Sequence, residues 1–413
     1  MRAALPPVNE VGQTMHARRA VLRNLRTGEV NFTRTQKVIF GRPVAEVLAE
    51  QVAHRGARRV FLVTSNTLAT ATDAIARIKA ALGHQFAGLV HGIRPHAPRS
   101  DVLRIVAGAR TAQADLLVSV GGGSVTDATK VASLALAHDV RHVDDFEALY
   151  VRVDAEGRAV NPVTRGPDVR IIAVPTTLSG GEFNPRSGAS DEARNHKQGY
   201  DHPDMAPVAI ILDPALTLHT PEWVWLSTGV RAIDHAAEIL ASHLSNDFAD
   251  GLAASALLFL QEGLTRVKAH PQDLAARLKC QIGVWQAMLA IVGGVPMGAS
   301  HAIGHVLGGT CGVAHGHTSC VMLPWVMQWN AAHNPARQQR IAELLGRPGD
   351  SAADALHDLI AGLGMPRTLA EVGVTPAQFP VVAQYALHDL WLRTNPRPIK
   401  TQADVLEILN LAA

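Results

Sequence analysis

The spacing of apolar residues changes once along this chain. Between about residues 34 and 215, short β-branched apolar runs alternate with stretches of helical spacing. The runs at 59–64, 86–90, 115–120, 169–174 and 208–212 predict buried parallel strands. Between them, 44–55, 70–82, 100–113 and 127–137 read as helices. Ser100 reads as an N-cap, with Asp101 behind it in the first turn. Strands that alternate with helices predict a parallel sheet covered on both faces. After Pro214 the strand signal stops. Segments 221–242, 247–269, 271–292, 300–307, 330–345, 351–361 and 402–411 all carry helical spacing. The pattern predicts an extension over 1–30, an α/β domain over 31–217 and an all-helical domain over 218–413.

Composition narrows the functional classes. The 413 residues carry a formal net charge of +2, so electrostatics make no case for nucleic acid or an anionic membrane. No apolar stretch reaches the ~20 residues that cross a bilayer. The first 26 residues hold Arg18, Arg19, Arg23 and Arg26 but lack the apolar run of a secretory signal. A tail followed by a short hairpin at 26–29 is expected there. Three cysteines, Cys280, Cys311 and Cys320, make no disulfide framework or zinc spacing. A cytoplasmic protein with a small-molecule partner fits best.

Two strand exits carry phosphate-binding chemistry. Gly121, Gly122, Gly123 and Ser124 follow the 115–120 run and open a helix. Glycines there let backbone N–H groups approach a pyrophosphate, and the helix N-terminus favours the anion. The Rossmann-like position, at the carboxyl end of a parallel strand, is where such sheets bind ligands. Thr176, Thr177 and Leu178 leave a second strand, with hydroxyls placed to hold ribose, phosphate or an amide. Ser65 ends the 59–64 run, where NAD enzymes often carry a carboxylate for the ribose 2′-hydroxyl. It has no charge to repel a 2′-phosphate, so NADPH is not excluded there and the choice of cofactor stays open.

The helical half carries a histidine cluster. His301, His305, His315 and His317 lie within an apolar, Gly-rich segment. His301 and His305 are four apart and share one helical face. The glycines at 308, 309 and 312 can turn His315 back toward them. Imidazole can ligate a metal, move a proton or bind a carboxylate near neutral pH.

Together these pieces resemble the iron-containing (group III) alcohol dehydrogenase superfamily, most closely its maleylacetate reductase branch. Gly121, Gly122, Gly123, Ser124, Asp127 and Lys130 match the pattern GGGSxxDxxK. Pro175, Thr176, Thr177, Gly181 and Glu182 match a PTTxxSGSE-like loop, and Ser190, Asp191 and Glu192 a short motif after it. His301, His305, Leu307, Gly308, Gly309, Ala314, His315 and Gly316 match HxxxHxLGG…PHG, with Ala314 where Pro is usual. Asn395, Pro396 and Arg397 match an NPR near the C-terminus. The resemblance implies a dehydroquinate synthase-like fold with a Rossmann-like α/β domain, an all-α domain and the site in the cleft between. It also implies a homodimer and a cofactor, NAD(P)H, held by Ser65, Gly121–Ser124, Asp127, Lys130 and Thr176, Thr177 and Leu178.

One departure changes the expected chemistry. Metal-dependent relatives hold Fe²⁺ or Zn²⁺ with one Asp and three His, the first two from a GxDAxxHAxE motif. This chain has Gly229, Arg231, Ala232, His235, Ala236 and Glu238 there, with Arg in place of Asp. A guanidinium has only donors and cannot ligate a cation. The expectation is therefore weak or absent metal binding; any metal that did bind would fall to His235, His301 and His315, with Asp234 a conceivable substitute ligand. Asp234 is three residues after Arg231, a spacing that favours an ion pair between them. Arg231 and His301 are candidates for oxyanion or carboxylate binding, with Arg186 a second clamp. His235, His305 and His315 are candidate proton donors or relays. The expected activity is a metal-independent, NAD(P)H-dependent reduction of a small, carboxylate-bearing oxo compound. The alternative is a metal-dependent alcohol dehydrogenase acting on small alcohols or aldehydes.

Overall fold

A computed structural model describes residues 29–154, 158–194 and 196–413. The expected tail and most of the 26–29 hairpin lie outside them. Six parallel strands form one sheet: β1 (Lys37–Phe40), β2 (Val60–Thr64), β3 (Phe86–His91), β4 (Leu116–Gly121), β5 (Arg170–Pro175) and β8 (Ala209–Leu212). Their order is β1-β8-β5-β4-β2-β3. Leu62 pairs with Val118, and Gly121 at the end of β4 pairs with Pro175 at the end of β5. The two phosphate-binding candidates therefore leave the sheet side by side.

The strands are apolar on both faces because both faces are covered. Phe61, Val63 and Leu117 point to one core, closed by α4 (Arg99–Thr111) and α5 (Gly123–Ala137). Val60, Leu62 and Val118 point to the other, closed by α1 (Val44–Arg55), α2 (Asn66–Thr70) and α3 (Ala74–Leu82). An antiparallel hairpin, β6 (Arg186–Asp191) with β7 (His196–Asp201), is inserted between β5 and β8.

From Glu222 onward the described residues are helical: α6 (Glu222–Ala241), α7 (Asp247–Ala269), α8 (Leu274–Val292), α9 (Ala299–Cys311), α10 (His315–Asn330), α11 (Pro335–Leu344), α12 (Ala352–Gly362), α13 (Phe379–Ala386) and α14 (Gln402–Leu411). Their main core, around Trp225, Ile233 and Leu257, continues into the sheet through Ala173, Ile210 and Leu212. Apolar packing thus runs unbroken across the boundary that periodicity placed near 217. Among the described residues no helix is long and apolar enough to cross a membrane.

Several local readings need correction. The 70–82 helix begins only at Ala74, as α3; Thr70 ends a separate short helix, α2, and Ala71–Asp73 lie between the two. Ser100 is not the cap of α4: Pro98 occupies that position, and the Ser100 hydroxyl bonds Glu192 Oε1 at 2.6 Å. Helix α5 starts four residues earlier than read, at Gly123, which puts its N-terminus on the glycine loop itself. Strand β1, hairpin β6–β7 and helices α10 and α13 went unread.

Candidate active site

The exits of β4 and β5 form a tightly packed pair of loops. Thr176 N donates to Gly121 O at 3.0 Å. A Cβ on Gly122 would stand 2.9 Å from Thr177 Cγ2, and one on Gly123 2.9 Å from Ser179 Oγ. Only glycine lets these loops close on each other with the first N–H groups of α5 left at the surface of the cleft. That cradle fits a dinucleotide pyrophosphate. Leu178 N donates to Thr228 Oγ1 of α6 at 3.1 Å, and Thr220 Oγ1 to Thr176 O at 2.7 Å. The β5 exit is thereby fastened to the helical domain.

The loop before α4 covers the other side of the glycine turn. His96 N donates to Ser124 Oγ at 3.1 Å. His96 and Ala97 have φ of +63° and +50°, a left-handed conformation that side chains resist. Ser190 holds them there, donating from Oγ to His96 O (3.0 Å) and from N to Ala97 O (3.1 Å). Asp127 accepts from Ser187 Oγ at 3.0 Å and faces the Lys197 ammonium at 3.4 Å. Lys130 was read as a cofactor contact, but its ammonium donates to the carbonyls of Gly181 (2.8 Å), Asn184 (3.2 Å) and Arg186. Three donors are all a lysine has, so none remains for a phosphate. Lys130 instead pins the loop after β5, and burial lowers its pKa to about 8. Arg186 is exposed and paired with Asp201 at 3.2 Å, away from any clamp role. Ser65 caps α2, its hydroxyl accepting from Leu68 N at 3.3 Å.

Helix α6 delivers Arg231, Asp234, His235 and Glu238 to the centre of the molecule, where all four are buried. Asp234 and Glu238, one turn apart, face the start of α9. Glu238 accepts from Gly298 N at 2.9 Å and Ser300 N at 2.8 Å, and Asp234 Oδ2 accepts from Ser300 Oγ at 2.8 Å. A Cβ on Gly298 would stand 2.9 Å from Glu238 Oε1, so this contact also requires glycine. His301 Nδ1 lies 2.9 Å from Glu238 Oε2 and 3.3 Å from Asp234 Oδ2. Donation from Nδ1 to these carboxyls leaves Nε2 as a bare acceptor, and that atom is buried without a partner. The His235 ring stacks on His301 at 4.6 Å, with Nδ1 also unpartnered. His305 Nδ1 bonds Asp389 Oδ2 at 2.8 Å and is over a third exposed. Its ring lies parallel to His315 at 6.2 Å, and Trp391 touches both His301 (5.9 Å) and His305 (5.0 Å). His235, His301, His305 and His315 thus fall into two stacked pairs joined by Trp391, while His317 packs on Trp223 instead.

Arg231 is the exceptional member. It is 6% exposed, and its hydrogen bond goes to Ser319 Oγ at 3.4 Å. The ion pair expected with Asp234 does not form, because Asp234 is turned toward Ser300 and His301. Burial lowers the Arg231 pKa to about 10, which leaves the guanidinium charged at neutral pH. Burial also raises Glu238 to about 7 and pushes Asp234 well above the carboxylate range, helped by the Glu238 charge. The two buried carboxyls therefore share protons rather than carrying two full charges. His235 and His301 are held neutral chiefly by burial, and His315 chiefly by the Arg231 charge.

Among the described residues, one group could gather around a metal ion: Asp234, Glu238 and His301, with one ligand atom each within 4.8 Å of the others. This differs from the set His235, His301 and His315. Sequence reasoning had not singled out Glu238, Asp389 or Trp391. Glu238 was legible as the acid of HAxE, one turn beyond Asp234; Asp389 and Trp391 carried no local signal.

Two family profiles match the chain: "Iron-containing alcohol dehydrogenase" over residues 35–214 and "Fe-containing alcohol dehydrogenase family, C-terminal" over residues 225–413. The chain is similar to Dehydrogenase ALT3 of Alternaria alternata, at 36% identity over 391 residues, covering 86% of this chain and 99% of that one. It is similar to Maleylacetate reductase 1 of Cupriavidus pinatubonensis, at 28% identity, covering 90% and 93%. Among solved structures it resembles the maleylacetate reductase of Rhizobium sp. strain MTP-10005, with a TM-score of 0.78 and 27% identity, covering 94% and 98%.

Proposed function

The chain belongs to the iron-containing alcohol dehydrogenase family, and from that premise we propose that it is a maleylacetate reductase-like enzyme that reduces a small oxo acid with NAD(P)H. The cofactor supplies the hydride; the protein positions the acceptor and manages charge and protons. The observation that carries this reading is Arg231. A buried guanidinium with one long hydrogen bond has donors to spare for an anion. Aimed at a substrate oxygen, it offers the charge stabilisation that a metal would otherwise give, and its planar fork suits a carboxylate. His301 Nε2, an acceptor in this arrangement, orients a hydroxyl or water rather than donating a proton. His305, partly exposed and backed by the Asp389 carboxylate, is the relay that brings a proton from solvent toward the new alkoxide. His235 and His315 line the path as neutral rings.

A second reading rests on Asp234, Glu238 and His301. Asp234 Oδ1 is buried without a partner, as a ligand oxygen would be in the absence of its ion. A cation there would release the protons that the carboxyls share and would stand near the Arg231 charge. Of the other ligand atoms, the Glu238 oxygens serve two N–H groups and His301, and Asp234 Oδ2 serves Ser300, whereas His301 Nε2 has no partner. The occupied carboxylate oxygens favour the ion-free reading.

One experiment separates the two. Purified enzyme is analysed for metal and assayed with NADH and NADPH against oxo acids and aldehydes, before and after chelation. The ion-free reading expects carboxylate-bearing acceptors to be preferred and chelation to leave the rate unchanged. It also expects Arg231→Met to lower kcat/KM for such acceptors by about 10²-fold or more. Stoichiometric iron or zinc, with activity lost on its removal and regained on its return, establishes the second reading instead.

A further inference from the structure

The amino ends of the sheet strands carry a second polar feature, on the edge away from the cleft. A groove with a volume of about 510 Å³ opens there, lined by His54, Arg55, Asp115, Arg170 and Val208 among others. Arg55 ends α1, Asp115 precedes β4, Arg170 opens β5 and Val208 precedes β8. Strand β4 is six residues long, so the glycine turn at its other end lies about 20 Å away. The groove has the volume of a small-molecule site, for which ~300–1,000 Å³ is usual. Nothing in the reductase chemistry uses it.

Positive charge gathers around this groove without being matched. The carboxylates present are already engaged. Asp204 pairs with Arg34 and, at 3.2 Å, with Arg170. Asp115 accepts from the backbone N–H groups of Arg58 (2.8 Å) and Arg59 (2.9 Å). Arg55 makes no ion pair among the described residues. Its guanidinium donates to neutral acceptors, Gln36 Oε1 at 3.0 Å and Val208 O at 3.3 Å. The carbonyls at the end of α1 offer it nothing, because Ala53 O and Val52 O accept from Gly56 N and Ala57 N. Arg55 Nε and Arg170 Nε are both buried without a partner. Burial, and then repulsion by Arg170, lowers the Arg55 pKa. A half-buried cation beside a like charge, with no carboxylate of its own, is stabilised by an anion from solution.

We propose that this groove is a binding site for a phosphate group, free or carried by a small ester, held between Arg55 and Arg170. The two guanidiniums come from different elements, the end of α1 and the start of β5. A tetrahedral dianion has oxygens for both, whereas a planar carboxylate matches a single fork. The site stands apart from the glycine turn and from Arg231, so its ligand does not compete with a dinucleotide or with the acceptor.

The test is calorimetric titration of the full chain, in low-chloride buffer, with inorganic phosphate and separately with glycerol 3-phosphate. One saturable site is expected, with a Kd of about 1 mM or tighter for the better ligand, an affinity that two charge-assisted contacts supply. Tighter binding of the ester assigns the groove to an esterified ligand, and equal or tighter binding of inorganic phosphate to the free anion; both support the site. Arg55→Gln is expected to weaken binding by about tenfold or more. Arg231→Met, which removes the charge in the cleft, is expected to leave it within about threefold, as is saturation with NADH. Tungstate soaked into crystals of the unaltered chain is expected between Arg55 and Arg170, a readout that needs no variant to fold. No saturable binding of either probe overturns the proposal. So does tungstate found only at the glycine turn or beside Arg231, or phosphate binding that Arg231→Met abolishes and a folded Arg55→Gln retains. All of these outcomes leave the reductase reading untouched.

Discussion

Arg231 sets the electrostatics of the cleft. A positive charge about 4 Å from an ion site costs about 4 kcal/mol at an effective dielectric near 20, and twice that against a divalent ion. The same charge is offset inside the protein by the Asp234–Glu238 pair, whose raised pKa values leave it short of two full negative charges. Reversing the sign at this one position is therefore the sharpest available change. Arg231→Asp is expected to bind Zn²⁺ or Fe²⁺ more tightly than wild type does, read by calorimetry on metal-free protein. An unchanged titration would show that the imidazoles and carboxyls do not converge on a common point. The substitution itself was legible from the spacing of GxDAxxHAxE. Its consequence was not, because the guanidinium's one bond is to Ser319, 88 residues away, and the expected Asp234 pair is diverted by Ser300. The Lys130 reading failed for the same reason: the motif named the residue, but the three carbonyls that consume its donors lie 51 to 56 residues further on.

Helices α7 and α8 pack along each other, and their contact depends on glycine. A Cβ on Gly263 would stand 2.6 Å from Cys280 Sγ and 3.0 Å from the Ala276 carbonyl, neither of which can swing away. Gly251, earlier on the same helix, has nothing within 4 Å of its would-be Cβ. The two sites should respond oppositely to one change. Gly263→Ala is expected to destabilise by about 1–3 kcal/mol through overpacking. Gly251→Ala is expected to stabilise by about 0.5–1 kcal/mol through helix propensity. Urea unfolding of the two variants checks both, and a loss at Gly251 would mean that something not seen here packs on that face. Helix α7 could be read to the residue because its start is local, with Asn246 Oδ1 accepting from Ala249 N at 3.0 Å. Helix α10 could not. It is buried over most of its length, on nearly every side, and carries Pro324, so no stripe marks its period. Hairpin β6–β7 was silent for the opposite reason. Its residues are polar, and it is fixed by distant partners such as the buried Arg99, which meets Asp191 at 3.3 Å and Tyr200 at 3.4 Å.

The whole molecule closes its cleft around ionisable groups that are out of their usual states, and this links folding to pH. His235, His301 and His315 have lowered pKa values in the fold, whereas the unfolded chain restores them to about 6.5. Their contribution to stability is complete above that value and is lost as the pH falls below it, because unfolding then takes up protons. Glu238 acts in the opposite sense. Its pKa rises from 4.5 in the unfolded chain to about 7 in the fold, so its contribution is present below 4.5 and is lost as the pH rises through 7. Asp234 shifts the same way. Between about pH 6.5 and 5 the carboxyls therefore offset part of the acid sensitivity that the histidines create. Glu238→Gln removes one such counterweight. Its stability is expected to fall more steeply on acidification than that of wild type, by up to about 1.4 kcal/mol per pH unit. Urea midpoints between pH 7.5 and 5 read this directly. Hydrogen bonds lost with the substitution lower the variant at every pH but leave the slope alone; Asp234, which the Glu238 charge helps to raise, becomes a smaller counterweight in the variant and adds to the steepening. Parallel slopes would mean that Glu238 is already ionised in the fold at neutral pH, with the buried Arg231 charge compensated in full.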